Sequence, residues 1–452
     1  MSNFAIEIQP GRFDAVMRQI SHHLTDFNRL PAISQALGTV VITATTKNAG
    51  ITAEMLTVDG VIGVEGRIEH VFYTLPPMLE ATDTRPISPA DLVEILESTP
   101  RTDVGAAFPL GAPGFSRGRE ASPWEMAAGG WEQTLDMIGA REAWKVNQGD
   151  ASVIAVIDSG LDAGTVDLDR QLIDRWPAGV EVADFEGHGT MVSMLATSRP
   201  EINGYSGVAP KADLIMLRPP LNEKHIMDTL SIMEAIDYCG QIGLSTGRRV
   251  IVNNSWGLFG CKNIKLPCRI ALTRAMVALD RLGAICTVWA IGNNELIADC
   301  EASVRGWCMN TTPVSVSVGA ATLGGNRQRY SSIGGQCYPL SPIVVAPTGG
   351  VVPWGDGFVD FGDQGGGTSA AAPQVAGALA ILDTAFPNLS SAELRAALRA
   401  GATPIGPDPE FNPGTGAGML RIDRALQAAP TAKDHPTYSY EQQFLAEVST
   451  LT

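Results

Sequence analysis

The chain has 452 residues, 45% hydrophobic and 18% charged, a balance that predicts a large folded core and argues against disorder. Its formal net charge of −16 argues against binding to nucleic acid or to an anionic membrane surface, because both need clustered lysine and arginine. The sequence contains neither a run of about 18 apolar residues that would cross a membrane nor a basic segment followed by an apolar one, so we expect a cytoplasmic location, with leaderless export as the alternative.

The first 80 residues are predicted to form a small α+β domain. Apolar residues alternate in some segments and recur at helical spacing in others, which predicts strands and helices respectively. The predicted elements are a strand at 4–8, a helix at 13–27, a strand at 39–44, a short helix at 52–58 and a strand at 61–71. This order is compatible with a ferredoxin-like split βαβ domain that lacks one clear strand.

Proline, glycine, serine and threonine dominate the sequence that follows. We therefore predict a linker over 81–130, with one short helix that begins after Ser88 and has Pro89 in its first turn. A larger domain is predicted over 131–427, followed by a polar tail over 428–452.

Short apolar runs alternate with helical segments in the larger domain. The predicted strands are 152–157, 213–217, 249–253, 284–290, 314–318 and 343–346. This alternation is typical of an α/β fold in which helices cover both faces of a mostly parallel sheet. Active residues in such folds gather at the carboxyl ends of the strands.

Two polar residues in this domain carry the first part of a catalytic pattern. Asp158 ends the first predicted strand just before a glycine turn, and His188 stands between two glycines at the start of a helix-like segment. A buried carboxylate at a strand end must have a partner. Taken singly, Asp158 could equally cap a helix or bind a metal, and His188 could be an ordinary surface histidine.

The third part is the segment Gly-Gly-Gly-Thr-Ser at 365–369, which precedes a run of small residues. Consecutive glycines allow the backbone to approach a ligand closely, although a serine at a helix start is usually only an N-cap. A serine hydroxyl becomes a good nucleophile when a histidine removes its proton and a carboxylate orients that histidine. The order Asp158, His188, Ser369 is the chain order of subtilisin-type triads.

These three segments closely resemble the signature blocks of the subtilase family, and the resemblance extends over about 131–427. It implies a subtilisin-like fold and a serine endopeptidase that cleaves polypeptides through an acyl-enzyme intermediate. Residues 288–293 are similar to the oxyanion block of the family. The resemblance implies that Asn293 and the Ser369 backbone N–H stabilise the oxyanion, and that Gly292 contacts substrate.

The segment Ser255, Trp256, Gly257 resembles the family's substrate-binding strand, which implies that an extended peptide pairs with it through main-chain hydrogen bonds. Two positions depart from the family pattern. Met191 and Gln374 stand where many members have histidine. Neither belongs to the triad, so we expect different packing around the active helices and unchanged chemistry.

The amino-terminal domain resembles, more weakly, the inhibitory propeptide of subtilases. This resemblance implies an intramolecular inhibitor that is removed by cleavage, with a permanent regulatory domain as the alternative. Rival functions are a pseudoprotease that binds peptides and an α/β-hydrolase acting on esters. The first would have a broken triad, and the second would place its serine in a Gly-x-Ser-x-Gly elbow ahead of the acid and histidine; the sequence has neither feature.

Catalysis of this type needs no cofactor. The family often binds structural Ca²⁺, but the sequence offers no assignable oxygen cage and no metal ligand. Of the seven cysteines, five stand in loop-like sequence and could form disulfides, whereas the absence of a signal favours reduced thiols. Asp299 and Glu301 follow the oxyanion block; they predict either a pocket for basic P1 side chains or a solvated rim.

Overall fold

The computed structural model describes residues 3–66, 69–72, 131–161, 172–177, 183–184, 187–200, 205–220, 227–257, 271–293, 309–312, 314–334, 340–348, 351–354, 357–360, 366–405, 412–435 and 438–439. The predicted linker, with its helix after Ser88, lies outside these residues, as does most of the predicted tail. The domain limits at 80, 130 and 427 therefore stay predictions.

An antiparallel sheet organises the amino-terminal residues. Its strands are in the order β2-β3-β1-β4, which is the order that two interleaved split βαβ units produce. The elements are β1 (Asn3–Ile8), α1 (Phe13–Ile20), β2 (Leu24–Arg29), α2 (Pro31–Leu37), β3 (Val40–Thr46), α3 (Ala53–Leu56) and β4 (Val61–Gly66). Apolar side chains of β1 and α1, among them Ile6, Val16 and Ile20, form a core of their own beneath this sheet.

Two predicted elements of this domain differ from the structure. The helix predicted over 13–27 ends at Ile20, and β2 occupies its second half, so β2 is the strand that the sequence did not reveal. The strand predicted over 61–71 is two strands, β4 and β5 (Glu69–Phe72). Only β4 belongs to the amino-terminal sheet.

A seven-stranded sheet organises the larger domain, and all its neighbouring strands are parallel. The strand order is β14-β13-β12-β10-β6-β8-β7. The strands are β6 (Val153–Ile157), β7 (Leu172–Trp176), β8 (Asp213–Leu217), β10 (Val250–Asn254), β12 (Ile285–Ala290), β13 (Ser315–Ala321) and β14 (Val344–Pro347). All six predicted strands are present, and the edge strand β7 is additional.

Helices cover both faces of this sheet, as expected for buried parallel strands. The helices are α4 (Trp131–Met137), α5 (Ala140–Ala143), α6 (His188–Thr197), α7 (Thr229–Thr246), α8 (Ala271–Arg281), α9 (Gly367–Ala385), α10 (Ser391–Gly401) and α11 (Ile422–Ala428). One core lies among the sheet, α6, α9, α10 and α11. The other lies among the sheet, α7 and α8, and α2 of the amino-terminal domain joins it.

A small third sheet connects the two domains. It consists of β9 (Met227–Asp228), β11 (Trp256–Gly257) and β5, in the order β11-β5-β9. Both pairings are antiparallel, so a strand from the amino-terminal part of the chain lies between two strands of the larger domain. A separate hairpin is formed by β15 (Val351–Trp354) and β16 (Gly357–Asp360).

A search of the described residues for a helix long and apolar enough to span a membrane found none.

Candidate active site

Asp158 and His188 are in direct contact. Asp158 follows β6, where its backbone N–H donates to Leu217 O at 2.9 Å, and His188 is the first residue of α6. His188 Nδ1 lies 2.7 Å from Asp158 Oδ1, and both side chains are buried. Because an ionised carboxylate can only accept, the proton resides on Nδ1, and Nε2 is the nitrogen that can act as a base.

The Asp158 carboxylate is held by the residue that follows it. The Ser159 backbone N–H donates to Asp158 Oδ1 at 2.8 Å. Gly187, immediately before His188, has φ of 77°, a left-handed conformation that glycine adopts without strain. The chain can therefore turn sharply into α6 and direct the imidazole toward Asp158.

Ser369 lies in the first turn of α9, and its side chain is buried. Its Oγ donates to Ser255 O at 3.1 Å, and Ser255 Oγ donates to Ser369 O at 3.0 Å. Asn253 Nδ2 donates in turn to Ser255 Oγ at 3.0 Å. Reciprocal bonds to one residue fix both the backbone and the hydroxyl of Ser369.

The strand register places the Asp158–His188 pair and the Ser255–Ser369 pair at the same edge of the sheet. Ile157 of β6 pairs with Asn254 of β10, so Asp158 and Ser255 are the next residues on two adjacent strands. Neighbouring strands lie about 4.8 Å apart. The partner of His188 and the partner of Ser369 thus stand side by side where the strands end.

Asn293 has a fixed amide orientation next to the candidate nucleophile. Its Oδ1 accepts from the backbone N–H and from Oγ1 of Thr368, each at 2.9 Å. Since a backbone N–H can only donate, the atom that it contacts must be the carbonyl oxygen, which identifies the other amide atom as the NH₂ donor. Gly292, with φ of 119°, makes the turn from β12 that brings Asn293 to Thr368.

The candidate substrate segment is already paired within the chain. Trp256 pairs with Phe72, and Gly257 pairs with Val71. The Trp256 side chain is fully buried and makes an edge contact with Trp289 at a centroid distance of 4.7 Å. The segment therefore presents its main chain to a neighbouring strand while its large side chain faces the core.

The two departures from the family pattern are core positions. Met191 is fully buried among the apolar residues around α6. Gln374 Nε2 donates to Pro347 O at 2.6 Å and to Ala370 O at 2.9 Å. Gln374 thus ties α9 to the end of β14, consistent with the expected role in packing.

Several residues that build the site were not identified from the sequence. Thr368 orients Asn293 and also accepts from the Gly292 N–H at 3.3 Å through Oγ1. Asn310 Nδ2 donates to Ala290 O at 2.7 Å, at the end of β12. Asp184 accepts four hydrogen bonds around the start of α6. Thr368 adjoins a predicted site residue, so its position alone could have indicated it.

The described part of the chain offers few residues for metal binding or thiol chemistry. No group of three or more His, Cys, Asp or Glu side chains there could hold a metal ion. Cys239 and Cys286 are free and buried, and burial raises the pKa of the Cys286 thiol to about 12. The five loop cysteines, Asp299 and Glu301 lie outside the described residues.

Comparison with known proteins yields consistent matches. Residues 149–421 match the Subtilase family. Mycosin-4 of Mycobacterium tuberculosis is 27% identical over 348 residues, covering 69% of this chain and 73% of its own length. Subtilisin DY of Bacillus licheniformis is 26% identical over 275 residues, covering 61% of this chain and 90% of its own.

A solved structure extends the likeness to nearly the whole fold. The crystal structure of fervidolysin from Fervidobacterium pennivorans, described as a keratinolytic enzyme related to subtilisin, superposes with a TM-score of 0.62 at 19% sequence identity. The match covers 94% of this chain and 61% of the fervidolysin chain. At this identity the likeness concerns the fold.

Proposed function

The chain belongs to the subtilase family of serine endopeptidases, and from this premise we propose the role of each residue in its active site. Ser369 Oγ attacks the carbonyl carbon of the scissile bond while His188 Nε2 removes its proton. Asp158 holds the imidazole in the Nδ1–H tautomer and stabilises the imidazolium that forms. His188 then returns the proton to the leaving amine, and a water molecule hydrolyses the acyl-enzyme by the same steps.

Asn293 and the Ser369 backbone N–H are the proposed donors to the tetrahedral oxyanion. Thr368 supports this role, because it holds Asn293 Oδ1 from two sides and so directs the amide nitrogen elsewhere. The whole reaction uses side chains and water, and no cofactor enters it. Structural Ca²⁺ stays a prediction without assigned ligands.

The 2.7 Å contact between His188 and Asp158 carries the assignment of the base. The test is Ser369→Ala, which removes the nucleophile without changing a packing residue. We expect this variant to lose hydrolysis of peptide substrates. In the wild-type enzyme, phenylmethylsulfonyl fluoride should modify Ser369 alone. Ser245→Ala, at an exposed position in α7, is the matched control and should retain activity. Hydrolysis that survives in pure Ser369→Ala protein would refute the assignment.

The amino-terminal domain is proposed to be an intramolecular inhibitor. Its following strand, β5, is the central strand of the β11-β5-β9 sheet, and β11 contains Trp256 and Gly257, which we assign to substrate binding. β5 therefore occupies the place that an extended substrate would take by strand addition. A substrate can enter only after β5 leaves.

Contacts outside the cleft support the docking of this domain. Asp237 of α7 accepts from the Ile33 N–H in the first turn of α2 at 2.8 Å. In the opposite direction, Glu65 of β4 accepts from the Ala271 N–H at the start of α8 at 2.7 Å. A carboxylate at a helix start satisfies an N–H group that has no partner within the helix and interacts favourably with the helix dipole.

Inhibition in trans tests this role. Residues 1–80 added to the mature enzyme should inhibit it or aid its refolding, and Val71→Pro should weaken the inhibition. Val71 pairs with Gly257 of β11, and proline at this position has a fixed φ and no N–H to donate, so it should disturb the pairing of β5 with β11. A matched substitution, Ile62→Ala, changes an exposed residue of β4 and should leave inhibition unchanged. If residues 1–80 neither inhibit the mature enzyme nor aid its refolding, a permanent regulatory domain explains the amino-terminal residues better.

Two further assignments stay predictions. One is whether Asp299 and Glu301 line a pocket for basic P1 side chains or form a solvated rim, which a peptide library profiled on the wild type and on both alanine variants would decide. The other is the cytoplasmic location, with leaderless export as its alternative.

A further inference from the structure

Asp184 connects the two chain segments that carry the proposed base and its carboxylate partner. Asp184 Oδ1 accepts from Ser159 Oγ at 2.8 Å, and Ser159 directly follows Asp158. The same oxygen accepts from the Gly187 N–H at 2.9 Å, and Gly187 directly precedes His188. Oδ1 of Asp184 thus binds the residue next to Asp158 and the residue next to His188.

The second oxygen of Asp184 holds the first turn of α6. Oδ2 accepts from the Thr190 N–H at 2.7 Å and from Thr190 Oγ1 at 2.6 Å. The N-cap residue Gly187 has no side chain with which to cap the helix, so Asp184 performs this function from three residues upstream. A negative charge at this position also interacts favourably with the helix dipole.

Two further contacts close a ring around the His188–Asp158 pair. The Gly189 N–H donates to Ser159 Oγ at 2.9 Å, which adds a second link from the first turn of α6 to the β6 end. Gly189 is packed tightly there, because a Cβ atom would lie 2.3 Å from Gly160 O. The imidazole therefore has little freedom to move relative to the carboxylate while the Asp184 bonds are intact.

We infer that Asp184 is a positioning residue for the His188 base, which it holds at bonding distance from Asp158 through Ser159 and the first turn of α6. This inference rests on the proposed catalytic roles. Asp184 acts through its neighbours and not on the substrate. Its loss should therefore affect the proton transfer, which depends on imidazole position, more than substrate binding, which depends on β11.

The test is Asp184→Asn in the mature enzyme. The amide keeps the size of the carboxylate but can accept at only one of its two ends and carries no charge. We expect kcat to fall by about 10- to 100-fold, because displacement of a reacting group by about 1 Å has effects of this size. KM should stay within about twofold, since substrate contacts are unchanged. The acidic limb of the pH profile should move to lower pH, because a negative charge that favours the imidazolium is lost.

Glu393→Gln is the matched control for lost helix capping. Glu393 Oε2 accepts from the Ser390 N–H at 2.8 Å and from Ser390 Oγ at 2.6 Å. It thereby completes the capping box of α10, whose N-cap residue is Ser390, and α10 contributes no residue to the proposed site. Both variants should lose thermal stability, but only Asp184→Asn should lose kcat. An equal kcat in the two variants would mean that Asp184 is an ordinary helix cap and would overturn the inference.

A second variant decides the question if Asp184→Asn does not fold. Ser159→Ala leaves the bonds of Asp184 to Gly187 and Thr190 in place. It removes the two bonds of Ser159 Oγ that tie the β6 end to Asp184 and to the Gly189 N–H. We expect kcat to fall with KM unchanged, and the low-field proton resonance between His188 and Asp158 to shift or broaden in a Ser369→Ala background. A normal kcat in Ser159→Ala would overturn the inference. Activity that persists in Ser369→Ala would instead refute the proposed function, so the two failures are distinguishable.

Discussion

Gly189→Ala should disable the enzyme by moving its base. The added Cβ would lie 2.3 Å from Gly160 O and 2.9 Å from Gly160 N, and an ordinary contact is about 3.5 Å. The shorter of the two distances is therefore more than 1 Å too close. Both atoms belong to the backbone and cannot rotate away. The first turn of α6 must therefore move by about 1 Å, and His188 moves with it, beyond hydrogen-bond distance of Asp158.

The expected loss in kcat/KM is about 100-fold, because misplacing a catalytic group by about 1 Å has this effect. The unfolding free energy should fall by about 1–3 kcal/mol through overpacking. Gly401→Ala is the matched control, since its Cβ would lie 2.4 Å from Ala425 N, at a contact between α10 and α11. It should lose similar stability and keep its kcat/KM. Equal activity in the two variants would refute the argument that the tight contact at Gly189 positions the base.

Three other predictions can be checked with the same protein. Asn293→Ala should lower kcat by about 10²–10³-fold with little change in KM, because it removes an oxyanion donor; a loss confined to KM would contradict this role. Self-cleavage should occur at the Tyr73–Thr74 bond, because Phe72 pairs with Trp256 and Ser255, the residue before Trp256, contacts Ser369. A mature amino terminus other than Thr74 on sequencing would exclude this bond.

The third concerns Asp237, whose pKa burial raises from 3.8 to about 6. The folded state therefore binds this proton more tightly than the unfolded state, and it loses about 3 kcal/mol of stability in total as pH rises from below about 3 to above about 7. Denaturant unfolding of Ser369→Ala protein with and without Asp237→Asn should isolate this difference, and identical pH dependences would contradict it.

The central sheet and the pairing of Asp158 with His188 were predictable because their signals are local. A strand buried on both faces is a continuous apolar run, and a polar residue that ends such a run is conspicuous. Asp158 at the end of β6 is an example. The prediction that Ser369 is the nucleophile rests on a similar local signal, since the glycines before it and the small residues after it have few structural explanations.

Edge strands were missed because their burial gives no such signal. Leu24 is the one buried residue of β2, and the other five are exposed. Leu24 and Phe27 happen to continue the helical spacing of α1, so the sequence favoured a longer helix. In β7, Asp174 and Arg175 interrupt the apolar run in the same way. Pairing with a neighbouring strand determines these segments, and a single strand does not encode its partner.

Asp184 was missed for a different reason. An N-cap is expected immediately before the first helical residue, and that position before His188 holds glycine. Asp184 reaches the helix from farther upstream, and its other partner, Ser159, is distant in sequence. Its role follows from the way the loop after β6 and the start of α6 come together, which is a property of the folded chain.

The amino-terminal domain is held by two kinds of contact, and they respond differently to cleavage. In the cleft, β5 pairs through main-chain groups, as any extended peptide can. Outside it, Asp237 and Glu65 cap helices across the domain contact. Cutting the chain after residue 73 ends the covalent tether and with it the high effective concentration of β5. The helix caps then oppose competition by substrate. The helix N–H groups favour the charged carboxylates, but burial outweighs them and raises the pKa of both groups, that of Asp237 to about 6. Docking of the amino-terminal domain should therefore weaken as pH rises and these groups ionise.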